Sequence, residues 1–209
     1  MDTIIVERSF HSLEKIIDVL ERGGVVILPS ENVYGFAVKA LSKEAVDRVY
    51  ELKGREKNKP LVYFTSKRKA EEYGIIDDNA KKIIDLWPEG VGIIVPKKDN
   101  VPSYVTAGKD SIMLVCVDEF LESLADKASF PIAGTSANKS GEKENIKFDS
   151  VDKMFNGRVS MIVKGGKCKR GQSGTIINLS VKPPTVLREG PFSTERIREL
   201  IPNILVSLL

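Results

Sequence analysis

Short apolar runs alternate with amphipathic helical segments along almost the whole chain, and this alternation limits the folds open to it. Residues 25–28 form a continuous apolar run, which is typical of a strand buried on both faces. Ser12 precedes apolar residues at helical spacing over 13–20, and Gly23-Gly24 ends that helix. The later strands and helices do not follow a regular βαβ repeat. The pattern therefore predicts an α/β or α+β domain with a mixed sheet flanked by helices.

The predicted elements extend over the whole chain without a linker, an internal repeat or a composition shift. We therefore expect a single domain over residues 1–209. The predicted strands lie at 4–6, 25–28, 36–38, 61–64, 91–95, 112–117, 132–134, 161–163, 175–179 and 184–187. The predicted helices lie at 13–20, 42–52, 67–73, 79–86, 120–125 and 194–200.

The composition is that of an ordinary globular protein, with 42% hydrophobic and 29% charged residues. A formal net charge of +3 does not by itself indicate a nucleic-acid partner. No apolar run approaches the roughly 20 residues that cross a bilayer, and charges interrupt the N-terminus too early for a signal peptide. Cys116 lies in an apolar run and Cys168 lies between lysines, and two such dissimilar sites do not indicate a disulfide. A cytoplasmic protein without a membrane partner is expected.

Two cations flank a glycine at the end of the second long helix, in Lys53-Gly54-Arg55. Cations at a helix C-terminus offset the helix dipole by about 0.3–1 kcal/mol, which is a purely structural explanation. The functional alternative is an anion clamp in which the Arg55 fork binds phosphate. Lys57 and Lys59 add charge to the same loop. The segment alone is compatible with both interpretations.

A stretch rich in hydroxyls and amides, residues 134–141, follows a short predicted strand. Such residues form caps and Asx-turns, but the carboxyl end of a strand is also a common ligand position in α/β sheets. The stretch is not a nucleophile elbow, since Gly134-Thr135-Ser136-Ala137 lacks the second glycine. His11 is the only histidine, so no triad is evident and acyl-enzyme chemistry is not expected.

Residues 164–175 are close to a phosphate-binding P-loop. Gly166, Gly171 and Ser173 are correctly spaced, but Gln172 stands at the lysine position and a strand rather than a helix is predicted to follow. A basic loop that binds phosphate and a solvated hairpin both remain open. The sequence has no cluster of His, Cys, Asp or Glu with the spacing of metal ligands.

Taken in chain order, these segments resemble the threonylcarbamoyl-AMP synthase (YrdC) family from about Val25 to Arg188. The segments that carry the resemblance are residues 27–35, 45–61, 86–88, 135–141 and 174–190. The resemblance implies a twisted mixed sheet with a concave basic surface. The Lys-x-Arg and Ser-x-Asn pairs of the family fall on Lys53, Arg55, Ser136 and Asn138, which it implies as catalytic residues. The substrate-binding positions that it implies are Ser30, Asn32, Tyr34, Lys59, Thr135, Thr175 and Arg188.

The family's reaction joins L-threonine, bicarbonate and ATP into threonylcarbamoyl-AMP, with release of pyrophosphate. The resemblance therefore implies a nucleotidyltransferase-like enzyme that takes ATP as a substrate, with Mg²⁺ as a candidate companion ion. It also implies tRNA or double-stranded RNA and tRNA-modification proteins as candidate partners, because the product feeds the threonylcarbamoyladenosine modification of tRNA. The substrate carbamate attacks the α-phosphate, so the chemistry needs positioning and charge neutralisation rather than a side-chain nucleophile.

Several positions that the family associates with threonine are changed in this chain. Asn32 replaces a threonine, Phe64 a histidine, Gly174 a serine and Lys59 an asparagine, and the family arginine of one strand falls on Val115 or Cys116. If that arginine is replaced, the amino-acid carboxylate needs another cation, because burying an unpaired charge is costly. Lys59 is the candidate, with the amide of Asn32 beside it.

Two alternatives to the synthase remain open at this point. One is a paralogue that keeps the nucleotide half of the site without synthase activity. The other is a non-catalytic double-stranded RNA or tRNA-binding module that uses the cations of residues 53–59 and 164–170.

Overall fold

The computed structural model describes residues 2–207 and contains one mixed sheet. Its strands are β1 (Ile4–Glu7), β2 (Val26–Pro29), β3 (Tyr34–Lys39), β4 (Val62–Phe64), β5 (Val91–Pro96), β6 (Ser111–Val115), β7 (Ile132–Ser136), β8 (Met161–Lys164), β9 (Thr175–Asn178), β10 (Thr185–Arg188) and β11 (Leu205–Val206). The spatial order is β1-β8-β2-β3-β7-β4-β6-β5-β9-β10-β11. Parallel pairs such as β4–β6 and β5–β9 alternate with antiparallel pairs such as β3–β7 and β5–β6, which confirms the predicted mixed sheet.

Helices surround this sheet. They are α1 (Leu13–Glu21), α2 (Lys43–Lys53), α3 (Ala70–Tyr73), α4 (Asp78–Ile84), α5 (Glu119–Lys127), α6 (Phe148–Phe155) and α7 (Thr194–Leu200), with a short 3-10 turn at Phe10–Ser12. Over residues 2–207, none of the helices is long and apolar enough to cross a membrane.

The structure differs from the sequence prediction at two elements. The sequence prediction missed α6, although its apolar residues Phe148, Val151 and Phe155 have helical spacing. The start signal is absent, because Lys147 occupies the N-cap position and no side chain caps the helix. The sequence prediction also missed the two-residue strand β11, whose Leu205 and Val206 are exposed.

Two hydrophobic cores lie on opposite faces of the sheet, because successive side chains of a strand point to opposite sides. Ile27 of β2 belongs to the larger core, while its neighbours Val26 and Leu28 pack with α1 and α5 in the smaller core. The smaller core covers only one end of its face. Over β4, β6, β5 and β9 the side chains on that face are partly exposed, so the sheet presents an open concave surface there.

Candidate active site

A cavity of about 530 Å³ occupies the open face of strands β4, β6, β5 and β9. Its floor is apolar, and at two glycines there is no room for a side chain. A Cβ on Gly92 would lie 2.6 Å from Val115 Cγ1, and a Cβ on Gly134 would overlap the ring of Phe64. The volume is that of a pocket for a nucleotide-sized or smaller ligand. The cavity is therefore the candidate ligand site.

Three cations line the cavity: Arg55, Lys109 and Arg188. Among the described lining residues Glu144 is the one carboxylate, and its Oε1 accepts a hydrogen bond from Ser173. A concave surface with an excess of positive charge attracts anions. The site is therefore suited to a ligand that carries phosphate or carboxylate groups.

The end of α2 positions Arg55. Gly54 adopts the left-handed conformation (φ +60°) that ends the helix, and the Arg55 amide then donates to the Tyr50 carbonyl at 2.9 Å. The guanidinium donates from Nε to the Lys59 carbonyl at 3.2 Å and from Nη2 to the Pro60 carbonyl at 3.1 Å. Burial lowers the pKa of this guanidinium from its ordinary value. The loop thus holds Arg55 at the cavity wall.

Lys53, two residues earlier, lies inside the protein rather than in the cavity wall. Its side chain is buried, and Nζ approaches the carbonyl oxygens of Ser136 at 2.6 Å and Asn138 at 3.2 Å. It also donates to Asn138 Oδ1 at 2.6 Å and to Ser136 Oγ at 3.2 Å. Burial, and then the nearby charge of Arg55, lower the pKa of Lys53 to about 8. Lys53 therefore ties the end of α2 to the segment after β7.

Ser136 and Asn138 complete this network. Ser136 Oγ donates to Asn138 Oδ1 at 2.8 Å, and Asn138 Nδ2 donates to the Glu142 carbonyl at 2.6 Å. Asn138 is buried, whereas Ser136 and its neighbour Thr135 line the cavity. The structure therefore brings all four residues of the Lys-x-Arg and Ser-x-Asn pairs together, with Arg55 and Ser136 facing the ligand space.

The loop between β2 and β3 borders the same cavity. Ser30 Oγ donates to the Val33 carbonyl at 2.7 Å and accepts from the amides of Asn32 and Val33, so it stabilises a tight turn. Ser30 and Asn32 line the cavity. Tyr34 is buried away from it, where its hydroxyl donates to the Gly166 carbonyl at 2.9 Å. Burial raises the pKa of Tyr34 to about 12.

Thr175 and Arg188 come from the neighbouring strands β9 and β10. Thr175 is fully buried, and its Oγ1 donates to the Phe192 carbonyl at 2.7 Å and accepts from the Gly190 amide at 2.9 Å. Arg188 is exposed at the rim, where Nε donates to the Gly174 carbonyl at 2.9 Å. Thr175 holds the turn after β10 in place, and Arg188 faces the cavity.

The structure places Lys59 outside the cavity wall. Its side chain is exposed, and Nζ lies 3.6 Å from the Glu56 carboxylate. Of the two candidate positions for the replaced arginine, Val115 lines the cavity and Cys116 is buried behind it. The sequence prediction missed Lys109, which lines the cavity two residues before Ser111, another lining residue. Strand periodicity counted back from β6 is the signal that could have found it.

Most cations of the two basic loops, residues 53–59 and 164–170, are paired with carboxylates. Lys57 Nζ lies 2.7 Å from Asp47, and Lys164 Nζ lies 3.4 Å from Glu7. In the loop 164–171, Lys169 Nζ lies 2.9 Å from Glu31. The segment after this loop is strand β9 rather than a helix, so the helix N-terminus of a P-loop is not formed there. These pairs reduce the free positive charge of both loops.

Comparison with known proteins is consistent with the fold. The family model described as "Telomere recombination", which covers Sua5, YciO and YrdC proteins, matches residues 18–190. A Methanocaldococcus jannaschii protein provisionally named a threonylcarbamoyl-AMP synthase is 33% identical over 92% of this chain and 94% of its own length. Threonylcarbamoyl-AMP synthase of Pyrococcus abyssi is 32% identical over 88% of this chain and 56% of its own length.

A solved structure shows the same architecture. The crystal structure of P. abyssi Sua5 complexed with L-threonine superposes with a TM-score of 0.91 at 29% identity, covering 99% of this chain and 63% of that protein. This chain thus spans somewhat more than half of the P. abyssi protein. Because the family model covers most of its residues, the chain belongs to the Sua5/YciO/YrdC family.

Proposed function

We propose that this chain makes threonylcarbamoyl-AMP from ATP, L-threonine and bicarbonate. The observation that carries the proposal is the cavity itself, in which Arg55, Lys109 and Arg188 surround an apolar floor beside Ser136. The names of the M. jannaschii and P. abyssi relatives and the threonine complex of P. abyssi Sua5 support it.

The proposed chemistry balances without a protein nucleophile. The threonine amine combines with bicarbonate to give a carbamate and water. A carbamate oxygen then bonds to the α-phosphorus of ATP, and the bond to the pyrophosphate leaving group breaks, as in a nucleotidyl transfer. Arg55, Lys109 and Arg188 would neutralise phosphate charge, since cations in a partly enclosed site stabilise developing negative charge. Lys53 would act through Ser136 by holding the segment after β7 in place.

The donor set of the cavity fits Mg²⁺ brought in with ATP. Mg²⁺ is usually held by one or two carboxylates together with substrate phosphates and waters. Glu144 offers one carboxylate on the described cavity wall, beside Arg188 and Ser173. We propose that Glu144 is the protein's contribution to such an ion, whose role is to neutralise phosphate charge.

The partners belong to the same proposal. Threonylcarbamoyl-AMP would pass to proteins that modify tRNA, and the reaction would take place in the cytoplasm, where the free buried thiols of Cys116 and Cys168 remain reduced. Direct binding of tRNA or double-stranded RNA would be weak, since the cations of both basic loops are largely paired.

The deciding experiment is incubation with ATP, Mg²⁺, bicarbonate and each common amino acid in turn, with detection of pyrophosphate and of the adenylate by mass spectrometry. We expect threonine-dependent release of pyrophosphate that, below saturating ATP, Arg55→Ala reduces about tenfold or more and Lys57→Met leaves unchanged. Lys57 is a matched control because it lies on the same loop but pairs with Asp47 outside the cavity. Absence of turnover with every amino acid, together with measurable ATP binding, would favour the nucleotide-binding paralogue. Tight, salt-sensitive RNA binding without turnover would favour the RNA module.

A further inference from the structure

Strand β1 forms one edge of the sheet, and its outer side has no partner strand. Within residues 2–207, β1 pairs with β8 alone, in parallel. The Ile4 amide donates to the Ser160 carbonyl at 3.0 Å, so the backbone groups of Ile4 face β8. Successive residues of a strand direct these groups to opposite sides, so the amide and carbonyl of Ile5 point away from β8. The outer side of β1 therefore offers donors and acceptors to another strand.

The middle of β1 lacks the protection that edge strands usually have. Charged side chains commonly prevent such strands from pairing with other chains. Here Ile4 is 41% exposed and Ile5 is 45% exposed, and the two lie on opposite faces of the strand. The charges stand only at the ends, at Asp2 and at Glu7-Arg8. The opposite edge of the sheet, β11, has two residues and offers a much shorter partner. β1 is therefore the edge that is suited to pairing.

The sequence of β1 is complementary to itself when a second copy runs antiparallel with Ile5 at the centre. Ile4 then faces Val6 of the second copy, so apolar side chains meet on that face. Asp2 faces Arg8 of the second copy, so opposite charges meet at both ends. Because only outward-facing backbone groups can bond, the register shifts in steps of two residues. One such shift opposes Asp2 to Val6, and the other opposes Ile4 to Arg8.

The second copy can share Arg8 with its existing partner. Arg8 Nη2 lies 3.0 Å from Asp118, and the side chain is 32% exposed. A guanidinium has five donors, so the remaining ones can bind the Asp2 carboxylate of the second copy. Exposed ion pairs contribute little affinity. The pair of Asp2 with Arg8 therefore sets the register, and the strand pairing and the isoleucines supply the contact.

We propose that β1 is a homodimer interface, in which two copies pair antiparallel with Ile5 on the two-fold axis and their sheets become continuous. The same patch is used on both copies, so the assembly closes at two chains. A single short strand pair buries less surface than a permanent dimer does, so this dimer is reversible. Of the described residues that line the candidate active-site cavity, none belongs to β1, so both cavities stay open.

Sedimentation equilibrium of the chain, with any purification tag at the C-terminus, tests the proposal. We expect the mass to rise from monomer toward dimer between about 5 and 500 µM. Ile5→Lys should raise the dimer Kd about tenfold or more, because it places two ammonium groups side by side at the axis. Leu41→Lys is the matched control. Leu41 is 52% exposed and lies outside β1, so this variant should dimerise like the wild type.

Three results of this experiment would overturn the dimer. One is a wild type that stays monomeric over the whole concentration range. Another is an Ile5→Lys variant that dimerises as tightly as the wild type. The third is a series of species larger than a dimer, which would indicate head-to-tail pairing of β1 with β11 and an open assembly.

Charge reversal at Asp2 tests the register without altering the apolar residues. In the proposed register Asp2→Lys faces Arg8 of the second copy, so the dimer Kd should rise about fivefold or more at low salt. Asp99→Lys is the control, because Asp99 is exposed outside β1 and the net charge changes equally. Equal effects of the two variants would mean that only net charge matters, and would overturn the register.

Cross-linking tests the same register in a protein whose contact is otherwise kept. Directly opposed residues of a hydrogen-bonded pair have Cα atoms about 5.5 Å apart, a separation that a disulfide can span. Mild oxidation should therefore link Ile5→Cys into a dimer, since the native Cys116 and Cys168 are buried. Ile4→Cys should link poorly, because Ile4 opposes itself only after a shift of two residues. Linking of Ile4→Cys in preference to Ile5→Cys, or of neither variant, would overturn the proposed pairing.

Discussion

The buried ammonium of Lys53 leads to a quantitative prediction about stability and pH. Lys53 is 2% exposed, and within residues 2–207 its Nζ donates hydrogen bonds only to oxygen atoms of Ser136 and Asn138. Its pKa is lowered from an ordinary value of 10.5 to about 8, chiefly by burial. Lys53→Met removes the titrating group while keeping most of the aliphatic stem. The difference in unfolding free energy between wild type and variant should therefore depend on pH.

The direction of this pH dependence follows from the number of protons that the folded and unfolded states bind. Between pH 8 and 10.5 the unfolded chain keeps the Lys53 proton and the folded protein has lost it, so the lysine's contribution to stability rises with pH. Below pH 8 both states are protonated and the contribution is constant. One pKa unit corresponds to about 1.4 kcal/mol, so the difference should grow by about 2 kcal/mol from pH 8 to 10.

At pH 7 two opposing effects are of similar size. The two 2.6 Å hydrogen bonds of the ammonium contribute about 1.5–3 kcal/mol each. The lowered pKa indicates that burial, together with the nearby charge of Arg55, disfavours the charged form over the neutral amine by about 3 kcal/mol. Lys53→Met should therefore destabilise the protein by about 0–3 kcal/mol at pH 7 and by more at pH 10.

Urea unfolding of wild type and variant at pH 7, 8, 9 and 10 gives the required differences, in which the titration of other groups largely cancels. Lys57→Met is the control, because its exposed ion pair with Asp47 contributes at most about 1 kcal/mol. A wild-type-to-variant difference that stays constant from pH 8 to 10 would refute the reasoning. It would show that the surrounding oxygen atoms stabilise the ammonium enough to offset its burial.

The remaining predictions concern single contacts. Arg55→Ala should weaken ATP binding about tenfold with little change in thermal stability. Unchanged affinity in calorimetry would show that Arg55 only offsets the helix dipole. Gly134→Ala should destabilise the protein by about 1–3 kcal/mol and reduce ATP affinity, because the new Cβ overlaps the Phe64 ring. An unaltered unfolding midpoint would show that the cavity floor has room for the extra methyl group. Thr175→Val should cost about 1–3 kcal/mol in urea unfolding, since it leaves buried backbone groups without their partner, and a neutral effect would contradict this. Lys59→Ala should change the KM for L-threonine less than twofold, because its side chain is exposed and paired outside the cavity, and a tenfold rise would show that it moves inward on binding.

Local sequence signals predicted most of the secondary structure. The run at 25–28 and the helix ending at Lys53-Gly54 lie within a residue or two of the observed elements, because apolar periodicity, a serine cap and a glycine end act over short distances. Helix α6 escaped prediction because its first turn has no side-chain cap. The resemblance of five ordered segments led to the family, which the family model confirms over residues 18–190.

The roles of individual residues within the site depended on tertiary structure. By itself the sequence predicted the mixed α/β fold, because apolar periodicity and turn signals are local properties of the chain. Its resemblance to the family grouped Lys53, Arg55, Ser136 and Asn138 as one candidate site. Only the folded protein decided that Arg55 faces the cavity while Lys53 lies buried behind it. It also decided that Arg170 contacts Asn32, 138 residues away along the chain. Burial and ion pairing between distant segments set these roles, and neither is encoded in the local pattern of residues.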